Sequence, residues 1–195
     1  MRTLGRILSV IILSLLYRIE IIGRENIPEK GPAILCANHK SLLDMFLLGY
    51  RIKRWIHWMA KEELFRIPIL KSILVNYGAF PVKRGKGDIG SIKASLKILE
   101  DQHILGIFPE GTRVSKKKKG EYKVKSGVAL IAVNAQVPII PAAIVGNYKL
   151  FSPMKVIYGK PFYLDVDKNK KYSKEELQSI SQDIMNKVYL LMEGH

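Results

Sequence analysis

Residues 33–44 read Ala33-Ile34-Leu35-Cys36-Ala37-Asn38-His39-Lys40-Ser41-Leu42-Leu43-Asp44. The apolar run Ala33–Ala37 predicts a buried strand, and the apolar spacing after it predicts a helix through Leu42–Tyr50. A strand end turning into a helix is where α/β folds commonly place reactive groups. Here the turn carries an NHxxxxD pattern, His39 followed by Asp44. With a helix start near Ser41, Asp44 lies in the first turn and reaches back toward the imidazole. A carboxylate on one ring nitrogen fixes the tautomer and leaves the other nitrogen able to accept a proton. Such a histidine is a general base suited to near-neutral pH and to activating an alcohol. The same seven residues admit a second reading, in which His39 caps a loop and Asp44 stabilises a helix N-terminus through the dipole.

Outward from this stretch, strand-like and helical patterns alternate. Trp55–Ala60, Ile104–Phe108, Val137–Val145 and Val156–Tyr158 read as strands. Glu62–Val75 reads as helical with an interruption at Pro68, and Val128–Ala135 as a short apolar helix. Over Asp88–Glu100, Ile89, Ile92, Leu96 and Leu99 fall on one helical face. Ser173 and Glu176 form a capping box for a last helix with the face Leu177, Ile180, Ile184, Val188 and Leu191. Repeated alternation predicts a single-domain α/β sandwich around a largely buried mixed sheet, spanning 19–195.

Residues 1–18 stand apart. A basic start, Met1 to Arg6, leads into an apolar run from Ile7 to Tyr17, closed by Arg18. The run is shorter than the roughly 20 apolar residues needed to cross a bilayer, and no small-residue cleavage site follows it. A membrane-associating helix lying in one leaflet fits it, with Arg2, Arg6 and Arg18 at head-group depth; an ordinary core helix is the other reading.

The chain carries 32 Lys+Arg against 17 Asp+Glu, a formal charge of +15. The excess is concentrated in residues 1–125, with 24 basic and 11 acidic side chains. Such a field attracts phosphates, whether on lipid head groups, nucleic acid or a small substrate. No nucleic-acid motif accompanies it, so no nucleic acid is expected as a partner. The run Lys116–Lys119 reads as a solvated charged loop, with binding of lipid head groups as the other reading. One cysteine, Cys36, excludes an internal disulfide and fits the cytosolic side. Four scattered histidines offer no metal-ligand spacing, so no metal is expected.

Three further segments stand out. Phe108-Pro109-Glu110-Gly111-Thr112-Arg113 follows a strand. Gly111 permits a close backbone approach, Arg113 offers a fork suited to phosphate, and Glu110 is able to hold that fork or accept from a hydroxyl. As a bare turn, the same tripeptide is common. Gly78-Ala79-Phe80-Pro81-Val82-Lys83-Arg84 places two cations before a helix start, where free amides also favour anions. Val137-Pro138-Ile139-Ile140-Pro141 brackets an apolar pair with prolines and is expected to be a wall or an edge strand.

In this order and spacing, the four segments resemble the glycerolipid acyltransferase family from about Gly23 to Pro161. The resemblance implies that His39 deprotonates an acceptor hydroxyl, Asp44 orients and charges His39, and acyl passes directly from a thioester. It assigns Lys61, Arg84, Glu110, Gly111 and Arg113 to the glycerol-phosphate site, and Pro138 and Pro141 to a structural or acyl-channel block. The implied reaction acylates the sn-2 hydroxyl of lysophosphatidic acid to give phosphatidic acid, at the cytosolic face of the cytoplasmic membrane. The implied partners are a lysophospholipid acceptor, acyl-CoA or acyl carrier protein as donor, and membrane lipids, with no cofactor. The residues themselves also favour direct transfer. No GxSxG elbow is present, and Cys36 sits in an apolar strand where it packs rather than reacts. Another lysophospholipid or an acylated amino-acid lipid is the alternative acceptor, and a non-catalytic basic surface module is the rival of another class. The latter leaves unexplained why His39, Asp44 and the 108–113 loop occur together.

Overall fold

The computed structural model describes residues 2–83, 88–113 and 124–194. Among these residues, seven strands form one mixed sheet: β1 (Arg18–Ile22), β2 (Ala33–Ala37), β3 (Ile56–Lys61), β4 (Phe80–Val82), β5 (Ile104–Ile107), β6 (Ile139–Gly146) and β7 (Pro153–Tyr158). Their order is β1-β7-β6-β2-β5-β3-β4. All neighbours are parallel except β6 and β7. The fold is therefore the α/β architecture expected, with a largely parallel sheet made mixed by one antiparallel pair.

Strand β2 sits at the centre and shows why the sheet is covered on both sides. All five of its residues are buried, and successive side chains go to opposite faces. Ala33, Leu35 and Ala37 join one core with Leu13 of α1 (Arg2–Leu16), Leu47 and Leu48 of α2 (Asp44–Leu48) and Leu74 of α3 (Pro68–Asn76). Ile34 and Cys36 join the other core with Leu99 of α4 (Ile89–Glu100), Ile131 of α5 (Gly127–Ala135) and Ile184 and Val188 of α6 (Lys174–Glu193). Parallel strands covered this way read as continuous apolar runs, as Ala33–Ala37 does.

Local signals set most boundaries. Asp88 accepts from the Ser91 amide to cap α4, and Ser173 with Glu176 makes both bonds of a capping box on α6. Pro68 opens α3 after a 3₁₀ turn over Glu62–Arg66, which accounts for the interruption seen in the pattern.

Of the two readings of Val137–Pro141, a wall or an edge strand, the edge strand is overturned. Strand β6 lies inside the sheet between β7 and β2, and Pro141 is buried opposite Cys36. A central proline is tolerated because of where its missing donor falls. The Pro141 carbonyl accepts from the Gly159 amide, so its nitrogen also faces β7. There β7 has already ended at Tyr158, and the chain loops out before Phe162 bonds Ile139.

The first helix is not detached from this body. Its Leu13 and the following Tyr17 are buried in the core, while Ile7, Leu8, Ile11, Ile12 and Leu15 on the opposite face are exposed. No described helix is long and apolar enough to cross a membrane.

Candidate active site

Because β2, β3, β5 and β6 run parallel, their carboxyl ends share one edge of the sheet. His39 follows β2 there, the 108–113 loop follows β5, Lys61 ends β3 and Tyr148 follows β6. The chain supplies four separate loops to one place, as open α/β sheets do.

Asp44 is the first residue of α2 and is completely buried. Its Oδ2 lies 2.7 Å from His39 Nδ1 and accepts the Lys40 and Ser41 amides at 2.6 and 2.8 Å. Two amides of the loop that precedes α2 thus hold the carboxylate that faces the ring, and Asp44 is at the same time the first residue of that helix. The Tyr148 hydroxyl donates to Oδ1. Burial, then the adjacent Asp44 charge, push the Tyr148 phenol far above its ordinary range, so it stays neutral and keeps the proton it donates to Asp44.

The ring is also fixed in plane. His39 stacks on Phe108 at 4.2 Å between centroids, and Phe108 stacks on Trp58 at 5.1 Å. Trp58 lies directly over Gly106 in the neighbouring strand, where an added Cβ would meet the indole at 2.4 Å. With Nδ1–H donating to Asp44, the Nε2 lone pair is available, and no hydrogen bond from the described residues engages it.

Glu110 occupies a different position from the one its motif suggested. It is 4% exposed. Its Oε2 accepts the His39 backbone amide at 2.8 Å and its Oε1 the Tyr189 hydroxyl of α6 at 3.3 Å. Burial pushes its carboxyl up to about 7, against the lowering effect of the His39 and Tyr189 bonds. Gly111 turns the loop with φ +66°, and a Cβ there would lie 3.0 Å from Lys125.

Lys61 and Arg113 are accessible at the same edge. Lys61 Nζ pairs with Glu63 at 2.9 Å, a half-exposed contact of small worth that an incoming anion can displace. Arg84 lies outside the described residues, as does Lys116–Lys119. Pro138 and Pro141 belong to the sheet: the Pro138 carbonyl accepts from Ile34, and Pro141 is buried in β6. Burial pushes the Cys36 thiol well above the usual cysteine range, which makes it inert. Among the described residues, no group of three or more His, Cys, Asp or Glu is placed to hold a metal.

Sequence reasoning missed Tyr148, Tyr189 and the Trp58–Phe108 stack. Tyr148 lies 104 residues from Asp44, and no spacing rule relates them.

An imidazole thus faces a buried carboxylate at the carboxyl edge of an α/β sheet, the edge that also carries Lys61 and the loop of Arg113. The chain belongs to the acyltransferase family, whose model matches residues 18–145. It is 34% identical over 184 residues to the 1-acyl-sn-glycerol-3-phosphate acyltransferase of Bacillus subtilis, covering 91% of this chain and 90% of that one. It is 30% identical over 177 residues to the enzyme of that name from Borreliella burgdorferi, covering 85% and 69%. The crystal structure of the 1-acyl-sn-glycerophosphate (LPA) acyltransferase PlsC from Thermotoga maritima shares the fold, with a TM-score of 0.69 at 23% identity, over 97% of this chain and 79% of that one.

Proposed function

We propose that this enzyme transfers a fatty acyl group from a thioester, acyl-CoA or acyl carrier protein, to the sn-2 hydroxyl of lysophosphatidic acid, giving phosphatidic acid. The observation that carries the mechanism is the 2.7 Å contact between His39 Nδ1 and a fully buried Asp44. Nε2 takes the proton of the acceptor hydroxyl as that oxygen attacks the thioester carbonyl, and Asp44 stabilises the imidazolium that forms. The tetrahedral intermediate collapses, the C–S bond breaks, and the same proton passes to the departing thiolate. No group on the protein is acylated.

The phosphate of the acceptor falls to Lys61, Arg84 and Arg113. Lys61 ends β3 and Arg113 lies in the loop after the adjacent β5, at the sheet edge that carries His39, which supports a phosphomonoester held while its hydroxyl meets His39. Glu110 acts as a positioning residue for the His39 turn, since its carboxyl group is turned inward onto the His39 amide and Tyr189. The name carried by the Bacillus subtilis relative supports this acceptor.

A membrane surface is the proposed working location. The exposed face of α1 carries five large aliphatic side chains from Ile7 to Leu15, each worth roughly 1.5–3 kcal/mol if buried in acyl chains. At about 1.5 Å per residue the helix is too short to span a bilayer and is suited to lying in one leaflet.

The test is product analysis with purified protein in detergent micelles. Lysophosphatidic acid is supplied with acyl-CoA or acyl carrier protein separately, beside lysophosphatidylglycerol and lysophosphatidylcholine. Phosphatidic acid as the dominant product supports the proposal; equal use of acceptors without a phosphomonoester overturns the acceptor assignment.

A further inference from the structure

A second basic site lies at the opposite edge of the sheet. Strand β3 begins at Ile56, so the segment Arg51–Trp55 that feeds it sits at the amino edge, away from His39. Between this segment and the first half of α1 runs a groove of about 580 Å³, within the usual range of roughly 300–1,000 Å³ for small-molecule sites. Its walls combine Arg6, Arg51 and Lys53 with Ile7, Ile11 and Trp55, and among the described residues no carboxylate lines it. Its frame is braced. Arg6 Nη1 donates to the Lys53 carbonyl at 2.9 Å, and Tyr77, stacked on Trp55, donates through its hydroxyl to the Gly5 carbonyl at 2.6 Å.

The cations have different duties. Arg54, in the same turn, is engaged by the Pro28 and Gln102 carbonyls, whereas Arg51 and Lys53 line the groove. Arg51 holds left-handed backbone, φ +56°, that a side chain of its kind seldom adopts. From these cations the apolar floor at Ile7 and Ile11 continues into the exposed stripe of Ile12 and Leu15. Positive charge at one end and an apolar track leading away match an amphiphile with an anionic head.

We propose that this groove binds an anionic phospholipid of the membrane, its phosphate on Arg6, Arg51 and Lys53 and its acyl chain along Ile7 and Ile11. It rests on the membrane-surface reading above and is independent of the acyl-transfer chemistry. The site orients the protein: α1 is held at its first half by a lipid head group, while its other end, at Tyr17, packs on Tyr148 beside Asp44.

The test uses the full chain with vesicles of phosphatidylcholine alone or containing phosphatidylglycerol with brominated acyl chains. The variants are Arg51→Asn with Lys53→Gln, and as a control Lys168→Gln with Lys171→Gln on an exposed loop. Asparagine accepts left-handed backbone, so the fold is kept, which a thermal melt verifies. Trp58 is 3% exposed, so bromine quenching reports Trp55, and Trp55→Phe removes it. Wild type is expected to favour anionic vesicles and be quenched. The Arg51/Lys53 pair should lose roughly thirtyfold in partitioning, at about 1 kcal/mol per cation near the surface, together with the quenching. Equal losses in the control pair, or quenching retained without Arg51 and Lys53, would overturn the site. Absence of binding to either vesicle would overturn the membrane-surface reading itself, and detergent-micelle turnover tells that apart from a failure of the enzyme.

Discussion

The backbone amide of His39 donates to the Glu110 carboxylate across 2.8 Å, although 71 residues separate them. The bond ties the turn after β2 to the loop after β5, and its acceptor is buried with Tyr189 as its other partner. Two motifs that look like independent contributors to a substrate site are in fact one structural unit.

Removing that acceptor exposes its role. Glu110→Ala should cost about 1–3 kcal/mol, the penalty for leaving a buried donor unsatisfied, and should lower kcat through displacement of His39. Glu110→Gln keeps a carbonyl for the amide and should retain most of the activity. Thermal melts and turnover of both variants check this.

The same carboxyl gives a pH signature. Its folded value, about 7, lies above the ordinary 4.5 because of burial. Its contribution to stability is therefore full below pH 4.5 and is lost as pH rises through 7. Glu110→Gln has no such loss, so its melting temperature should gain on wild type between about pH 5 and pH 8. A constant difference across that range would contradict the assignment.

Tyr148→Phe removes the donor to Asp44 Oδ1 but leaves three donors on Oδ2. Turnover should fall about tenfold, the worth of one hydrogen bond to a charged group, with KM for the acceptor unchanged. A rise in KM alone would assign Tyr148 to substrate binding instead.

Gly106→Ala would drive a methyl group into the Trp58 ring. The expected cost is about 1–3 kcal/mol, with a changed near-ultraviolet circular dichroism signal from the displaced indole. Because Phe108 and His39 stack on Trp58 in turn, activity should fall more than stability accounts for.

Lys61→Ala and Arg113→Ala should each raise KM for a phosphomonoester acceptor by roughly ten- to a hundredfold, the range for a charge-assisted hydrogen bond. An acceptor without that phosphate should be insensitive to both changes. Equal effects on the two acceptors would argue against phosphate contact.

Much of this was legible in the sequence because the signals are local. The β2 run, the apolar face over Asp88–Glu100, the Ser173 cap and the Pro68 break each act within a few residues, and each element forms where its pattern predicts. Strand β1 is not legible because Arg18–Ile22 follows α1 after a single residue, with no turn signal between the two elements. Strand β4 spans three residues, too few for a period to register. The edge reading of Pro141 does not hold because the rule concerns a missing donor, and only the tertiary path shows that this donor would fall where β7 has already ended at Tyr158. Glu110 could be seen as polar and near a turn, but whether it faces substrate or core depends on α6, which begins more than 60 residues later. Tyr148 belongs to no pattern at all, since its partner is chosen by the strand order.

The role of His39 is tested most directly by steady-state formation of phosphatidic acid from lysophosphatidic acid and acyl-CoA or acyl carrier protein, comparing wild type with His39→Ala at matched folding. Loss of a general base and its orientation should abolish turnover by about three orders of magnitude or more, with an unchanged melting profile. A folded His39→Ala variant that still produced phosphatidic acid within tenfold of the wild-type rate would contradict the mechanism.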